Sequence, residues 1–201
     1  SDAKEPQPVT PVAERHALLT AQHAPPTVAA MIRLQLLTGA RPGEICQMCP
    51  ADLDTTGDVW TYRPARHKTQ HHGHRREIPL GPQAQEIIRP HVAGRALDAP
   101  LFSPAEAEAE RRKAKHAART TPAGQGNEPG TNRKADPQKQ PGDLYTPQAY
   151  GKAVRYAIAR ANEAIEAELR QETPDSTDEQ IAEALATRGV PHWHPHQLRH
   201  T

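Results

Sequence analysis

Aromatic residues are scarce, with two Trp, four Tyr and one Phe in 201 residues, and only 35% of the chain is hydrophobic. A sequence of this kind can enclose one ordinary core and little more. No apolar run approaches the ~18 residues that a membrane-crossing helix needs, so a membrane protein is not expected. The opening stretch Ser1 to Thr10 is polar and Pro-bearing and lacks the apolar centre of a secretory signal. The two cysteines, Cys46 and Cys49, sit three apart, where a disulfide would staple almost no chain. The expected setting is a reducing cytoplasm. Charge of one sign is also missing, since 25 Lys and Arg face 24 Asp and Glu for a net +1. The total therefore says nothing about partners, and the local distribution must be read instead.

The 21 prolines and 12 glycines punctuate the chain. Thr10, as N-cap, and Pro11, at the first helical position, predict a short helix to Ala24. Val28, Met31, Ile32, Leu34, Leu36 and Leu37 predict a more buried helix from Thr27 that ends near Gly39. Pro42 opens a third helix that runs to Cys49. From Asp58 to Leu80 the character changes: Val59 to Tyr62 are strand formers, Ile78 belongs to a second short strand, and the stretch between them is a long basic hairpin tip. Gly81-Pro82 starts another amphipathic helix that ends before Gly94. Ser103 to Asp143 has almost no large apolar residue and cannot offset its own ordering entropy. It reads as a mostly disordered basic insertion with a helical stretch from Pro104 to Arg119. Within it, Arg111 to Lys139 holds eight Lys and Arg against Glu128 and Asp136. Thr146-Pro147 begins a long helix to about Gln171. Ser176 with Glu179 forms a capping-box pattern for a last helix closed at Gly189. Glu163 to Glu183 carries eight acids against Arg170 alone, the pattern of a solvated face. The fold class expected is mainly α with a small antiparallel β-hairpin or sheet, residues 1–9 being a linker and 10–201 one domain.

Three basic sites lie far apart in this sequence: Arg41 at a helix start, Lys68 at the hairpin tip, and His196 with Arg199 on a helix opened by Pro195. Taken singly, they read as a helix-terminal ion pair with Glu44, a surface lysine and an unremarkable i, i+3 pair. Brought together they would suit a phosphodiester. Two guanidiniums can hold nonbridging oxygens bidentately and stabilise a pentacoordinate transition state. The imidazole can move a proton, and the lysine can protonate a leaving oxygen. Such a site requires no metal or other cofactor.

The run Gln35-Leu36-Leu37-Thr38-Gly39-Ala40-Arg41-Pro42-Gly43-Glu44-Ile45 resembles the first signature box of the tyrosine recombinases, the phage-integrase family. His196-Gln197-Leu198-Arg199-His200-Thr201 is similar to the second, and His67-Lys68-Thr69 with Arg76-Glu77-Ile78-Pro79-Leu80 resembles the hairpin that carries the catalytic lysine. Leu101-Phe102-Ser103 resembles the strand end that follows. The likeness spans about Thr10 to Leu101 and Tyr145 to Thr201. It implies an incomplete DNA breaking-rejoining catalytic domain. Arg41 and Arg199 would clamp the scissile phosphate, Lys68 would be the general acid, and His196 would assist proton transfer. Glu44 would support Arg41, and His200 would pack beneath the site. It further implies site-specific recombination of duplex DNA through a 3′-phosphotyrosine, by protomers assembled on the DNA. Tyr62, Tyr145, Tyr150 and Tyr156 all precede the second box, so none matches the family's nucleophile. The expectation is a fragment inactive in strand cleavage, its nucleophile beyond Thr201. Basic residues around the hairpin, Arg63, Arg66, Arg75 and Arg76, are expected to contact DNA phosphates.

Two other readings compete. One is a noncatalytic DNA-binding remnant of an integrase. The other is a zinc protein, suggested by His67, His71, His72 and His74 and by His196 with His200 at i, i+4. Against zinc, no carboxylate sits between the last pair as in the protease motif, and the Cys46–Cys49 pair has no second pair. A type IB topoisomerase shares the Arg, Lys, Arg, His set, but the string around Arg199 is closer to the recombinases.

Overall fold

The computed structural model describes residues 9–65, 76–120 and 140–201. Helices dominate: α1 (Glu14–Gln22), α2 (Pro26–Thr38), α3 (Pro42–Gln47), α4 (Pro82–Val92), α5 (Pro104–Ala117), α6 (Pro147–Glu172) and α7 (Asp178–Arg188), with a 3-10 helix at Pro195–His200. Proline occupies the first position of α2 to α6 and of that 3-10 helix. There its fixed φ is already helical and its missing N–H costs nothing, so much of the proline content marks helix starts. Strands β1 (Leu53–Asp54), β2 (Trp60–Tyr62) and β3 (Ile78–Leu80) form an antiparallel sheet in that order. The first of these strands was not expected from the sequence.

Helix α2 lies at the centre and packs against α1, α3, α4, α6, β3 and the 3-10 helix. Its Val28, Met31, Ile32 and Leu34 are buried, as their near-continuous apolar run requires. It ends at Gly39, whose φ of 60° is left-handed and suits glycine. In the sheet, Tyr62 faces Ile78 and Trp60 faces Leu80. Tyr62, Ile78 and Leu80 are buried, while Pro79 sits exposed on the edge strand. A smaller cluster of Ile165, Leu169 and Ile181 joins the far end of α6 to α7.

Several boundaries differ from the sequence reading, each for a local reason. Residues 9–13 are not helical. The Thr10 carbonyl accepts from Gln197 Nε2 at 2.8 Å and the Val12 carbonyl from Thr201 Oγ1 at 2.9 Å, so tertiary donors take acceptors that a helix would use. Helix α3 stops at Gln47 because buried Met48 turns away and its carbonyl accepts from the Leu101 amide at 2.8 Å. The capping box on α7 is Thr177 with Gln180, one residue beyond the expected pair, because the Ser176 amide is committed to the Thr173 carbonyl in the preceding turn. Leu101 and Phe102 are fully buried but belong to no strand; Ser103 instead caps α5. That helix occupies the stretch expected to be helical. It is docked by Arg95, which grips Glu106 at 2.6 and 3.1 Å. Residues 121–139 of the basic insertion lie outside the described residues.

Candidate functional site

The segment leading to the second box is held from three sides. Asn162 of α6 makes a reciprocal pair with Val190, donating to its carbonyl at 3.0 Å and accepting from its amide at 2.7 Å. Gly189 permits this close packing, since a Cβ there would lie 2.5 Å from the Leu185 carbonyl oxygen and 3.1 Å from Asn162 Oδ1. Trp193 is buried, and its indole donates to Thr20 Oγ1 on α1 at 3.1 Å. Pro195 then opens the 3-10 helix, whose three-residue period places His196 and Arg199 on one face.

One buried amide joins the two boxes. Gln35, with no exposed surface, donates through Nε2 to the Ala40 carbonyl at 3.0 Å and to the Pro195 carbonyl at 2.8 Å. Its Oε1 accepts from the Tyr150 hydroxyl at 3.1 Å. Ala40 and Pro195 immediately precede Arg41 and His196, so this side chain sets the spacing between those two residues. Gln35 lies within the first box, and its position there points to no task by itself. The available signal was a polar residue between Leu34 and Leu36 in the apolar part of α2. Gln35→Leu should cost about 3 kcal/mol of stability, because two carbonyls and a phenol lose their partners in the core. Urea denaturation measures this; a loss below about 1 kcal/mol would show that the crossbar is dispensable.

Arg41 and His196 line the same open cleft of about 620 Å³, with Glu44, Gln148 and His194. Glu44 is buried, accepting from the Arg41 amide at 2.7 Å and from Arg41 Nη1 at 2.9 Å, so it holds Arg41 at the start of α3. Burial alone would raise the Glu44 pKa; hydrogen bonds from the Arg41 backbone and side chain and from Arg76 outweigh it and lower the pKa below its ordinary value. The stability this carboxylate contributes is therefore complete above its unfolded pKa and is lost as pH falls through the lowered folded value. His196 is exposed, and its pKa is lowered by partial burial of the ring and then by His194, Arg199, His200 and Arg41. At neutral pH it is mainly an uncharged proton acceptor.

Arg199 is exposed and close enough for its charge to act on His196, but it does not line the cleft. His200 is exposed on the short 3-10 helix, not packed beneath the site. Arg63 is engaged by Glu77 at 2.8 Å and Asp54 at 3.1 Å, acids on either side of the hairpin that offset its charge. Arg76 turns onto Glu44. Lys68, Arg66 and Arg75 lie outside the described residues, as do His67, His71, His72 and His74.

None of the four tyrosines lines the cleft. The Tyr150 hydroxyl is committed to Gln35 and that of Tyr62 to the Glu44 carbonyl at 2.6 Å. Tyr145 is buried, and Tyr156 is half exposed with Lys152 over its ring. Burial raises the Cys46 thiol to about 12; burial and Asp52 raise that of Cys49 to about 11. Both are therefore protonated thiols at neutral pH. Among the described residues no group of three His, Cys, Asp or Glu side chains is placed to hold a metal ion, and no helix is long and apolar enough to cross a membrane. Searches against protein-family models, curated proteins and solved structures found no match.

Proposed function

We propose that residues 10–201 are the phosphate-handling part of a tyrosine-type, site-specific DNA recombinase. The observation that carries this reading is the meeting of Arg41 and His196, distant in sequence, in one cleft fixed by Gln35. Arg41 and Arg199 would hold the nonbridging oxygens of a scissile phosphodiester, and neutral His196 would take up a proton. Lys68 would protonate the departing 5′ oxygen as a tyrosine oxygen bonds to phosphorus. With Tyr62 and Tyr150 tied up inside the fold and none of the four tyrosines lining the cleft, that tyrosine would come from outside these 201 residues. Duplex DNA would be the substrate, and further recombinase protomers on it the partners.

The commitment of Tyr62 and Tyr150 favours a second reading, a DNA-binding module that cleaves nothing. Both readings require phosphate binding. Affinity for a duplex should fall roughly 10- to 100-fold between 50 and 200 mM salt if two to four phosphates are neutralised, and Arg41→Gln should weaken it further at either salt. A fluorescence-anisotropy titration at both concentrations tests this. Absence of binding at low salt, or affinity indifferent to salt, would overturn the proposal.

A further inference from the structure

Glu44 is the meeting point of more than one helix cap. Its side chain is 3% exposed and faces two guanidiniums: Arg41, at the start of α3, and Arg76, two residues before β3. Arg76 Nε lies 3.3 Å from Oε1 and Nη2 lies 3.5 Å from Oε2, longer than the Arg41 contacts. The other hairpin strand reaches the same residue, through the Tyr62 hydroxyl on the Glu44 carbonyl. Both sides of the hairpin root therefore dock on the residue that orients Arg41. One carboxylate cannot neutralise two guanidiniums, so the trio keeps a positive charge beside the cleft, whereas an Arg41–Glu44 pair alone would have none.

We propose that Arg76 is a positioning residue for Arg41, not a DNA contact: by sharing Glu44 it locks the hairpin root onto α3 and leaves Arg41 net cationic toward an anion in the cleft. The anion class, a phosphodiester, rests on the reading above. Arg76→Gln should weaken duplex binding about tenfold, through loss of one nearby charge together with the orientation it gives Arg41. In a double-mutant cycle, Arg76→Gln should cost less in an Arg41→Gln background than in the parent, because the part of its effect that runs through the Arg41 guanidinium is already lost and only its charge remains. Arg76→Lys should recover most of the affinity.

A second readout needs no ligand. In carboxyl NMR, Glu44, whose charged neighbours among the described residues are Arg41 from α3 and Arg76 from the hairpin, with the Tyr62 phenol on its carbonyl, should titrate at a higher pH in Arg76→Gln and return toward the parent midpoint in Arg76→Lys. A purely structural role would not restore the midpoint with lysine. If Arg76 instead touches DNA, the two Arg→Gln losses will add and the salt slope will fall by about one; that result, or an unchanged Glu44 titration, overturns the assignment. Failure of all variants and the parent to bind DNA, with the Glu44 titration moving as expected, would remove the recombinase reading and leave Arg76 as the residue that orients Arg41. Should Arg76→Gln not fold, the titration and affinity of Arg76→Lys and Arg76→Met decide.

Discussion

Replacing Trp193 by alanine should lower the unfolding free energy by about 3–5 kcal/mol, the range for deleting a buried indole whose cavity cannot collapse. Trp193 is 2% exposed and is the largest fully buried side chain. It stands between α1 and the second box, and its indole donates to Thr20 Oγ1, which itself donates to the His16 carbonyl at 2.7 Å. Alanine removes both the apolar contacts and the donor. Since His196 follows three residues later, the same change should loosen the cleft, so duplex affinity should fall with stability. Urea denaturation followed by tryptophan fluorescence, with Trp60 as the remaining reporter, measures the first effect. A cost below about 1 kcal/mol would mean that the second box is held by the hydrogen bonds of Gln35, Asn162 and Gln197 without this packing.

Arg199→Ala should reduce covalent adduct formation on a nicked duplex by on the order of 10²-fold or more, the usual cost of removing one donor to developing oxyanion charge. The measurement requires a protein in which this chain continues through a tyrosine after Thr201; the 201-residue chain should form no adduct, consistent with the internal commitments of Tyr62 and Tyr150. In such a protein Arg199 must turn from solvent into the cleft beside His196. A loss below tenfold would assign Arg199 to tuning the His196 proton alone, since its charge already lowers the His196 pKa. Adduct formation by residues 1–201 would show that a tyrosine within the fold is the nucleophile.

Most helices were legible in the sequence because their signals are local. Proline at the first position of α2 through α6, the left-handed Gly39 at the end of α2 and the apolar run of that helix act within a turn or two of themselves. The antiparallel pairing of β2 with β3 was legible for the same reason. Arg41, Glu44 and His196 could be singled out from motif and residue type, and the cleft contains all three.

The tertiary structure alone decided what each side chain is committed to. Thr10 and Pro11 carry a helix-start pattern, yet distant donors on Gln197 and Thr201 take the Thr10 and Val12 carbonyls and delay α1 to Glu14. Arg63 and Arg76 look alike as hairpin cations. One is spent on exposed acids and the other on buried Glu44, because an ion pair depends on which elements pack, not on spacing along the chain. Gln35 is a further instance: its identity is written in the sequence, but its task as the link between Ala40 and Pro195 exists only once α2 has brought the two boxes together. Hydrogen bonds and ion pairs act over a few ångströms, and only packing of the core decides which residues come that close.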